Sequence, residues 1–277
     1  MQTTYNGEHS IIFGDKHSWE DWGLVPTSLP VVSMPSVNTN MLEIPGMSGK
    51  LDLTDVPLGY PTYSTRNGSW TFYIAHDITG LTWEQTYAMI SSYLHGRRRK
   101  CILLDDRSYY YIGRFSINQF KSDKLCSQIT INYELDPFKW MRWSTCDDWP
   151  WNPFDFIYGE ITQDYFKDIN VAQTFHDVWT QNEIGAAPVI PTFTIRGGAF
   201  NNESHVFAIT VTNSVNGSSH TINGEIRPGF VQTEIIDPLL EMSCPNPEDE
   251  MSILITNGGY TDHGSLSVSI DFTPGRL

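Results

Sequence analysis

Ser69-Trp70-Thr71-Phe72-Tyr73-Ile74, followed by Thr82-Trp83-Glu84-Gln85 and a run that ends at Gly96, decides how the first half of the chain is read. Trp70, Phe72 and Ile74 fall on one face, the period of two that marks a half-buried strand. Thr82 and Gln85 can each satisfy an orphan amide of a first helical turn, and Gly96 supplies a left-handed exit. The spacing therefore predicts a helix over 82–95, with Trp83, Tyr87, Ile90 and Leu94 on one stripe that must pack against a sheet. Strands follow at Cys101–Leu104, at Tyr109–Phe115 and up to Leu135, where Ile129, Ile131, Tyr133 and Leu135 alternate. Turns at Asp105-Asp106 and Lys121–Lys124 separate them, and Asp136-Pro137 ends the last, because proline removes an amide donor and restricts its predecessor.

The second half repeats the strand period without helices. Val189–Ile195, Val206–Thr212, Ser219–Asn223, Phe230–Ile236, Met251–Thr256 and Ser265–Phe272 are separated by turns rich in Gly, Asn and Pro. Short strands at such spacing argue for an antiparallel β-sandwich. The stretch 140–187 between the halves carries Trp140, Trp143, Trp149, Trp151 and Trp179, broken by Pro150 and Pro153. Flexible linkers do not spend tryptophans, so this stretch reads as a packed connector. The expected organisation is an N-terminal domain over 1–142, a Trp-rich connector over 143–186 and a sandwich over 187–277, with the chain mainly β throughout.

Composition narrows the function classes. The 277 residues suit about two domains at ~150 residues each. Hydrophobic residues make up 40%, charged ones only 18% and aromatics 13%, which excludes a disordered chain. The formal charge of −15 is unevenly held: residues 1–142 carry 13 basic and 14 acidic groups, residues 143–277 carry 4 and 18. A half at −14 repels phosphate backbones and anionic lipid, which argues against nucleic-acid or membrane-surface binding there. No apolar run approaches the ~18 residues of a membrane span, and the polar start Met1–Ser10 lacks a signal-peptide pattern, so the expected route is outside secretion. The sequons at Asn67, Asn202 and Asn216 then read as chance matches. Cys101, Cys126, Cys146 and Cys244 are too widely spaced for a zinc motif or a disulfide framework and read as reduced, mostly buried thiols.

Chemistry is hard to find. Gly46-Met47-Ser48-Gly49-Lys50 has two residues where a phosphate loop has four between its glycines, and Leu51 where that loop has a hydroxyl. Asp105-Asp106 and Asp147-Asp148 read as turn acids, since neighbours on a strand face opposite ways. The eight histidines, His9, His17, His76, His95, His176, His205, His220 and His263, never pair at i, i+4 or as His-x-His. No Gly-x-Ser-x-Gly elbow is present. The chain is therefore expected to be no enzyme and to need no cofactor or metal. The strong charge feature is Arg97-Arg98-Arg99-Lys100, after the helix exit and before a strand. It reads either as a solvated edge facing the helix C-terminal dipole or as cations that meet acids of a neighbouring copy or a passing nucleic acid.

Glu43-Ile44-Pro45-Gly46-Met47-Ser48-Gly49, Leu51-Asp52-Leu53-Thr54, Leu94-His95-Gly96-Arg97, Tyr109-Tyr110-Tyr111-Ile112-Gly113-Arg114 and Asp136-Pro137-Phe138-Lys139, in that order, resemble the N-terminal domain of distal tail proteins of long-tailed (siphovirus-type) bacteriophages. Asp148-Trp149-Pro150-Trp151-Asn152-Pro153-Phe154-Asp155-Phe156 also looks like a segment common just after that domain. Arg276-Leu277 departs from the pattern, where an aromatic is expected. The resemblance implies an N-terminal β-sandwich-type ring domain with one helix and a C-terminal galectin-like antiparallel β-sandwich. It implies a structural virion protein, made in the host bacterial cytoplasm, that forms a homohexameric ring at the distal tail tip. The ring would join the tail tube protein to the tail hub or tail-associated protein, near the tape measure protein, with DNA passing through its bore without specific binding. Charge fits that arrangement, because six copies at −15 carry −90 and must make their contacts through the near-neutral half. Arg97, Arg98, Arg99 and Lys100 are then expected near a subunit seam or the bore. The rival is a module that binds host cell-wall glycan through exposed Trp or Tyr of the sandwich; a cell-wall hydrolase would need facing carboxylates, which the sequence does not display.

Overall fold

The computed structural model describes residues 7–75, 80–122, 127–147, 166–197, 205–214, 217–226, 232–258 and 266–277. They form two compact units, one of residues 1–54, 61–139 and 277, the other of 55–60 and 140–276. Both are built of antiparallel strands, and no described helix is long and apolar enough to cross a membrane.

In the first unit the strands are β1 (Ile11–Phe13), β2 (Lys16–His17), β3 (Leu24–Pro26), β4 (Met41–Glu43), β5 (Lys50–Asp52) and β6 (Arg66–Ile74). Helix α1 (Trp83–Leu94) follows, then β7 (Arg98–Leu103), β8 (Tyr109–Ser122) and β9 (Ser127–Leu135). One sheet runs in the order β2-β1-β7-β8-β9-β6-β3. Strands β1 and β6 are four steps apart in it, about 19 Å if the sheet were flat. Yet the Phe13 ring of β1 lies 6.1 Å from that of Trp70 in β6, and both meet Phe115 of β8, at 5.2 and 6.4 Å. The sheet is therefore folded over on its own aromatic face, which is the sandwich-type core. A register shift between Ile117 and Gln119 inserts one extra residue into β8, the bulge that lets a 14-residue strand bend.

Helix α1 has the expected capping box, with Thr82 accepting from Gln85 N–H and the Gln85 side chain returning to Thr82 N–H. Gly96 follows the cap with φ +71° and donates its N–H to Phe115 O at 2.8 Å, so the helix exit is fastened to β8. The buried stripe is Thr86, Ile90 and Leu94, while Trp83 and Tyr87 stack on each other, 5.4 Å between centroids, half-buried at its border. Strand β7 begins earlier than Cys101, so Arg98, Arg99 and Lys100 form the first half of a strand, and Arg97 stands just before it.

The second unit holds β10 (Lys139–Met141, from Trp140 on), β11 (Ile169–Val171), β12 (Thr174–Thr180), the one-turn α2 (Gln181–Ile184), β13 (Thr192–Arg196), β14 (His205–Asn213), β15 (Ser219–Ile226), β16 (Gln232–Ile235), β17 (Glu250–Asn257), β18 (Leu266–Asp271) and β19 (Gly275–Arg276). Sheets β11-β18-β13-β16 and β12-β17-β14-β15 face each other. Phe193, Ile195, Val268 and Ile270 of the first meet Trp179, Ile209, Ile253 and Ile255 of the second in one buried cluster. The six strands expected after residue 187 are present with shifted ends; Phe230 and Ser265 lie outside the described residues. The stretch read as a connector behaves differently. Residues 169–171 and 174–180 are strands of the two sheets, and Trp179 is a core residue, 1% exposed. Their signal is weak because β12 alternates half-exposed and exposed residues up to Val178 and is covered on one edge only. The motif 148–156, including Asp148, Trp149 and Trp151, lies outside the described residues, as do Cys126, the side chain of His205, and Asn202 and Asn216.

Cys101, Cys146 and Cys244 are free thiols, and burial pushes all three up, Cys146 to about 11 and Cys244 to about 12, so they stay protonated and inert at neutral pH. Gly113 of β8 packs so closely on β9 that a β-carbon there would sit 2.3 Å from Glu134 O and 2.6 Å from Leu135 Cα. Both neighbours are backbone and cannot yield cheaply. Gly113→Ala should destabilise the first unit by about 1–3 kcal/mol, read as a lower urea midpoint at unchanged slope.

Candidate functional site

No catalytic constellation assembles among the described residues. Asp105 pairs with His9 at 2.7 Å and Asp106 with Lys139 at 2.9 Å, whereas Asp147 caps the Ser144 N–H at 2.9 Å. His95 Nδ1 accepts from Ile117 N–H at 3.1 Å and His176 bonds Ser252 at 3.0 Å; His76 and His263 lie outside the described residues. No group of three His, Cys, Asp or Glu capable of holding a metal ion occurs among the described residues. Gly46 and Gly49, with φ +85° and +91°, turn a β-hairpin rather than cradle a phosphate.

The basic run divides in two. Arg98 is engaged by the Asp136 carboxylate. Arg99 donates from Nε to Tyr93 O at 3.0 Å, a carbonyl of the last helical turn, and its guanidinium lies 3.7 Å over the Tyr93 ring. Arg114, opposite Arg98 in the ladder, donates to Gly96 O at 2.7 Å. Within the basic run Arg99 meets the helix-end reading, while Arg114, outside that run, holds the carbonyl just past the helix cap. Lys100 lies 4.2 Å over the Tyr110 ring, and both Lys100 and Arg97 are exposed. Tyr93 is a hub: its hydroxyl also donates to Phe13 O at 2.9 Å or to the Asp15 carboxylate.

The surface feature that sequence reasoning missed is apolar. Every residue from Ser36 to Asp52 is exposed. The segment runs out through 33–43 and back through 50–54, with Met41↔Asp52, Leu42↔Leu51 and Glu43↔Lys50 paired and Lys50 bonded to Glu43 at 2.8 Å. Below that hairpin, Asn38 N–H donates to Thr62 O at 2.8 Å and Ser64 N–H to Ser36 O at 2.9 Å. Its root is fastened to the core. Trp70 Nε1 donates to Val31 O at 2.9 Å, and the buried Arg66 guanidinium spans Ser33 O at 3.1 Å and Pro137 O at 2.8 Å. Arg66 is 2% exposed and has no carboxylate partner in the structure as described; burial lowers its pKa. On this anchored ribbon stand nine of the seventeen large hydrophobics that are exposed among the described residues: Leu29, Val31, Met34, Val37, Met41, Leu42, Ile44, Met47 and Leu51. Met34 is 70% and Val31 64% exposed. Each such side chain gains about 1.5–3 kcal/mol on full burial, so their concentration between Leu29 and Leu51 makes this ribbon a candidate interaction surface.

No protein-family model matches the chain, and no curated protein matches it by sequence. Solved structures do. The fold is similar to that of the Dit protein of phage SPP1. The match covers 97% of this chain and 99% of that one, at a TM-score of 0.59 and 14% identity, and that protein is described as a paradigm of the hub adsorption apparatus in phages infecting Gram-positive bacteria. The likeness to distal tail proteins read from the ordered motifs of the first half is thus matched by a fold that extends through both units. Two looser overlaps are with the Bacillus thuringiensis δ-endotoxin Cry8Ea1, at 8% identity, 86% and 41% coverage and TM-score 0.29, and with the phage P2 baseplate in its activated, calcium-containing conformation, at 9% identity, 96% and 90% coverage and TM-score 0.31. At those scores neither overlap adds to what the SPP1 Dit fold says.

Two outcomes follow. Arg66→Met removes the clamp on Ser33 O, so hydrogen exchange at the Asn38 and Ser64 amides should accelerate at least about tenfold while the β8–β9 amides keep their protection. The Tyr93 hydroxyl, followed by Asp15's own backbone, holds the Asp15 carboxyl below its ordinary value. A depressed acid adds stability above its unfolded pKa and loses it as pH falls through the folded one. Below about pH 4 the wild type should therefore lose stability faster than Asp15→Asn, seen as converging melting temperatures.

Proposed function

We propose that the chain is a structural component of a phage tail tip that assembles head-to-tail into a homohexameric ring through its first unit. The observation that carries this reading is the anchored apolar ribbon. It projects from a unit of near-zero net charge, while the strongly acidic second unit is best kept apart from its copies. A surface on one copy that fits a different surface on the next generates a ring when the rotation closes. The fold shared with SPP1 Dit supports a role at the tail hub; the ring would join tail tube protein to hub or tail-associated protein, with the tape measure protein as a further partner and DNA passing through. The role is architectural and not catalytic, in a virion whose parts are made in the bacterial cytoplasm.

Within that ring Arg97 and Lys100 are the members of the basic run assigned to a seam or the bore, since Arg98 and Arg99 serve their own chain. The alternative reading, a host-surface glycan-binding module, rests on aromatics of the acidic half such as Trp149, Trp151 and Tyr260, which lie outside the described residues.

Native mass spectrometry and electron microscopy of the purified chain should give six-membered rings. Leu42→Asp combined with Leu51→Asp, a facing pair on the exposed hairpin, should reduce them to monomers with an unchanged circular dichroism spectrum. A wild-type chain that stays monomeric at every concentration, or rings indifferent to that pair, would overturn the proposal.

A further inference from the structure

On the inward face of β15 the filling changes. Gly224 and Ile222 stand opposite Phe207 and Ile209 of β14, with the buried Ile226 farther along their row, as a sandwich core requires. One step on, His220 stands opposite the buried Val211, so an imidazole occupies an inward position where the period calls for an apolar side chain. Asn213, two residues past Val211, continues the same inward row and faces Met251 of β17. The sandwich does not close here. A cavity of about 250 Å³ opens between this end of the sheet and the segment 238–243, with Val211 and Met251 as its floor and Asn213, His220, Glu241 and Ser243 on its walls.

His220 and Glu241 are exposed, and Glu241 also acts electrostatically on Tyr60, whereas the Ser243 side chain, only 6% exposed, makes no hydrogen bond among the described residues. Breaks in the inside-outside pattern that leave polar groups idle are where a fold gives up consistency for function. The donor and acceptor set is specific. Glu241 accepts only, Ser243 donates and accepts, and neutral imidazole does one at each nitrogen. A ligand offering adjacent groups that both donate and accept satisfies all three, and the floor of Val211 and Met251, with Leu239 beside it, suits C–H surface. Anions are disfavoured by Glu241 and by the −14 of residues 143–277. A metal ion lacks ligands, with one carboxylate and one imidazole in reach. The volume equals about eight waters at ~30 Å³ each, room for one six-membered sugar ring.

We infer that this cavity is a binding site for a single neutral saccharide unit, with Glu241 and His220 holding its hydroxyls. Without an aromatic platform, affinity falls in the millimolar range, useful when many copies engage a polysaccharide together. The inference stands apart from the ring: it concerns the end of the second unit and holds for a single chain.

Saturation-transfer NMR on the full chain with methyl α-glucopyranoside, methyl β-galactopyranoside and N-acetylglucosamine tests it. At least one should receive saturation, and His220→Ala and Glu241→Gln, at exposed positions that leave the circular dichroism unchanged, should each cut the effect at least about fivefold. Transfer to none of the three sugars, transfer that survives both substitutions, or stronger transfer to methylammonium or N-acetylneuraminic acid would overturn it.

Discussion

Trp70 ties the two things this chain must do. Its ring lies in the core, 4.2 Å from Tyr133 and 6.1 Å from Phe13, where a single sheet is folded over on itself. Its indole N–H leaves that core and holds Val31 O, the first anchor of the apolar ribbon. Hydrophobic burial makes the ring immovable, and a hydrogen bond carries that rigidity outward to a segment with little core of its own. Arg66 adds the second anchor at Ser33 O. A cation 2% exposed, held by carbonyls and with no carboxylate partner among the described residues, is costly to bury, and what it secures is the direction in which the ribbon leaves the sheet.

A rigidly mounted apolar surface differs in consequence from a floppy one. A flexible arm pays ordering entropy when it docks, whereas a ribbon already hydrogen-bonded through Asn38, Ser64 and the Glu43–Lys50 pair keeps more of its burial energy as affinity. Charge decides where such docking is tolerable. The first half of the chain is almost neutral and the second carries nearly all of the −15, so repulsion between copies is smallest where their first halves meet.

Much of the fold was legible in the sequence because its signals are local. Thr82, Gln85 and Gly96 delimit α1 through hydrogen bonds a few residues long, and the alternation of Ile129, Ile131, Tyr133 and Leu135 needs only the period of a strand. Strands β11 and β12 escaped because they are edge strands, and in β12 a carboxylate, Asp177, interrupts the inward row of Phe175 and Trp179, leaving little alternation to display. The ribbon escaped for a different reason: Leu42, Ile44 and Met47 look like core residues, and nothing local distinguishes an apolar side chain awaiting a partner from one already buried. The motif around Glu43–Gly49 was visible as a family likeness, but its exposure is a tertiary fact. The basic run was legible as charge and not as geometry, since only the register of β7 against β8 separates Arg98 and Arg99, spent on Asp136 and Tyr93, from Arg97 and Lys100.

The central claim is that the ribbon's apolar side chains are covered by the first unit of another copy. A photo-crosslinking amino acid in place of Met47, at the exposed hairpin turn, reads this directly when the cross-linked peptides are mapped on mixed isotope-labelled and unlabelled chains. The account predicts hybrid cross-links between labelled and unlabelled chains, landing within residues 1–54 or 61–139. Cross-links confined to one chain, or landing in residues 140–276 of another, would contradict it.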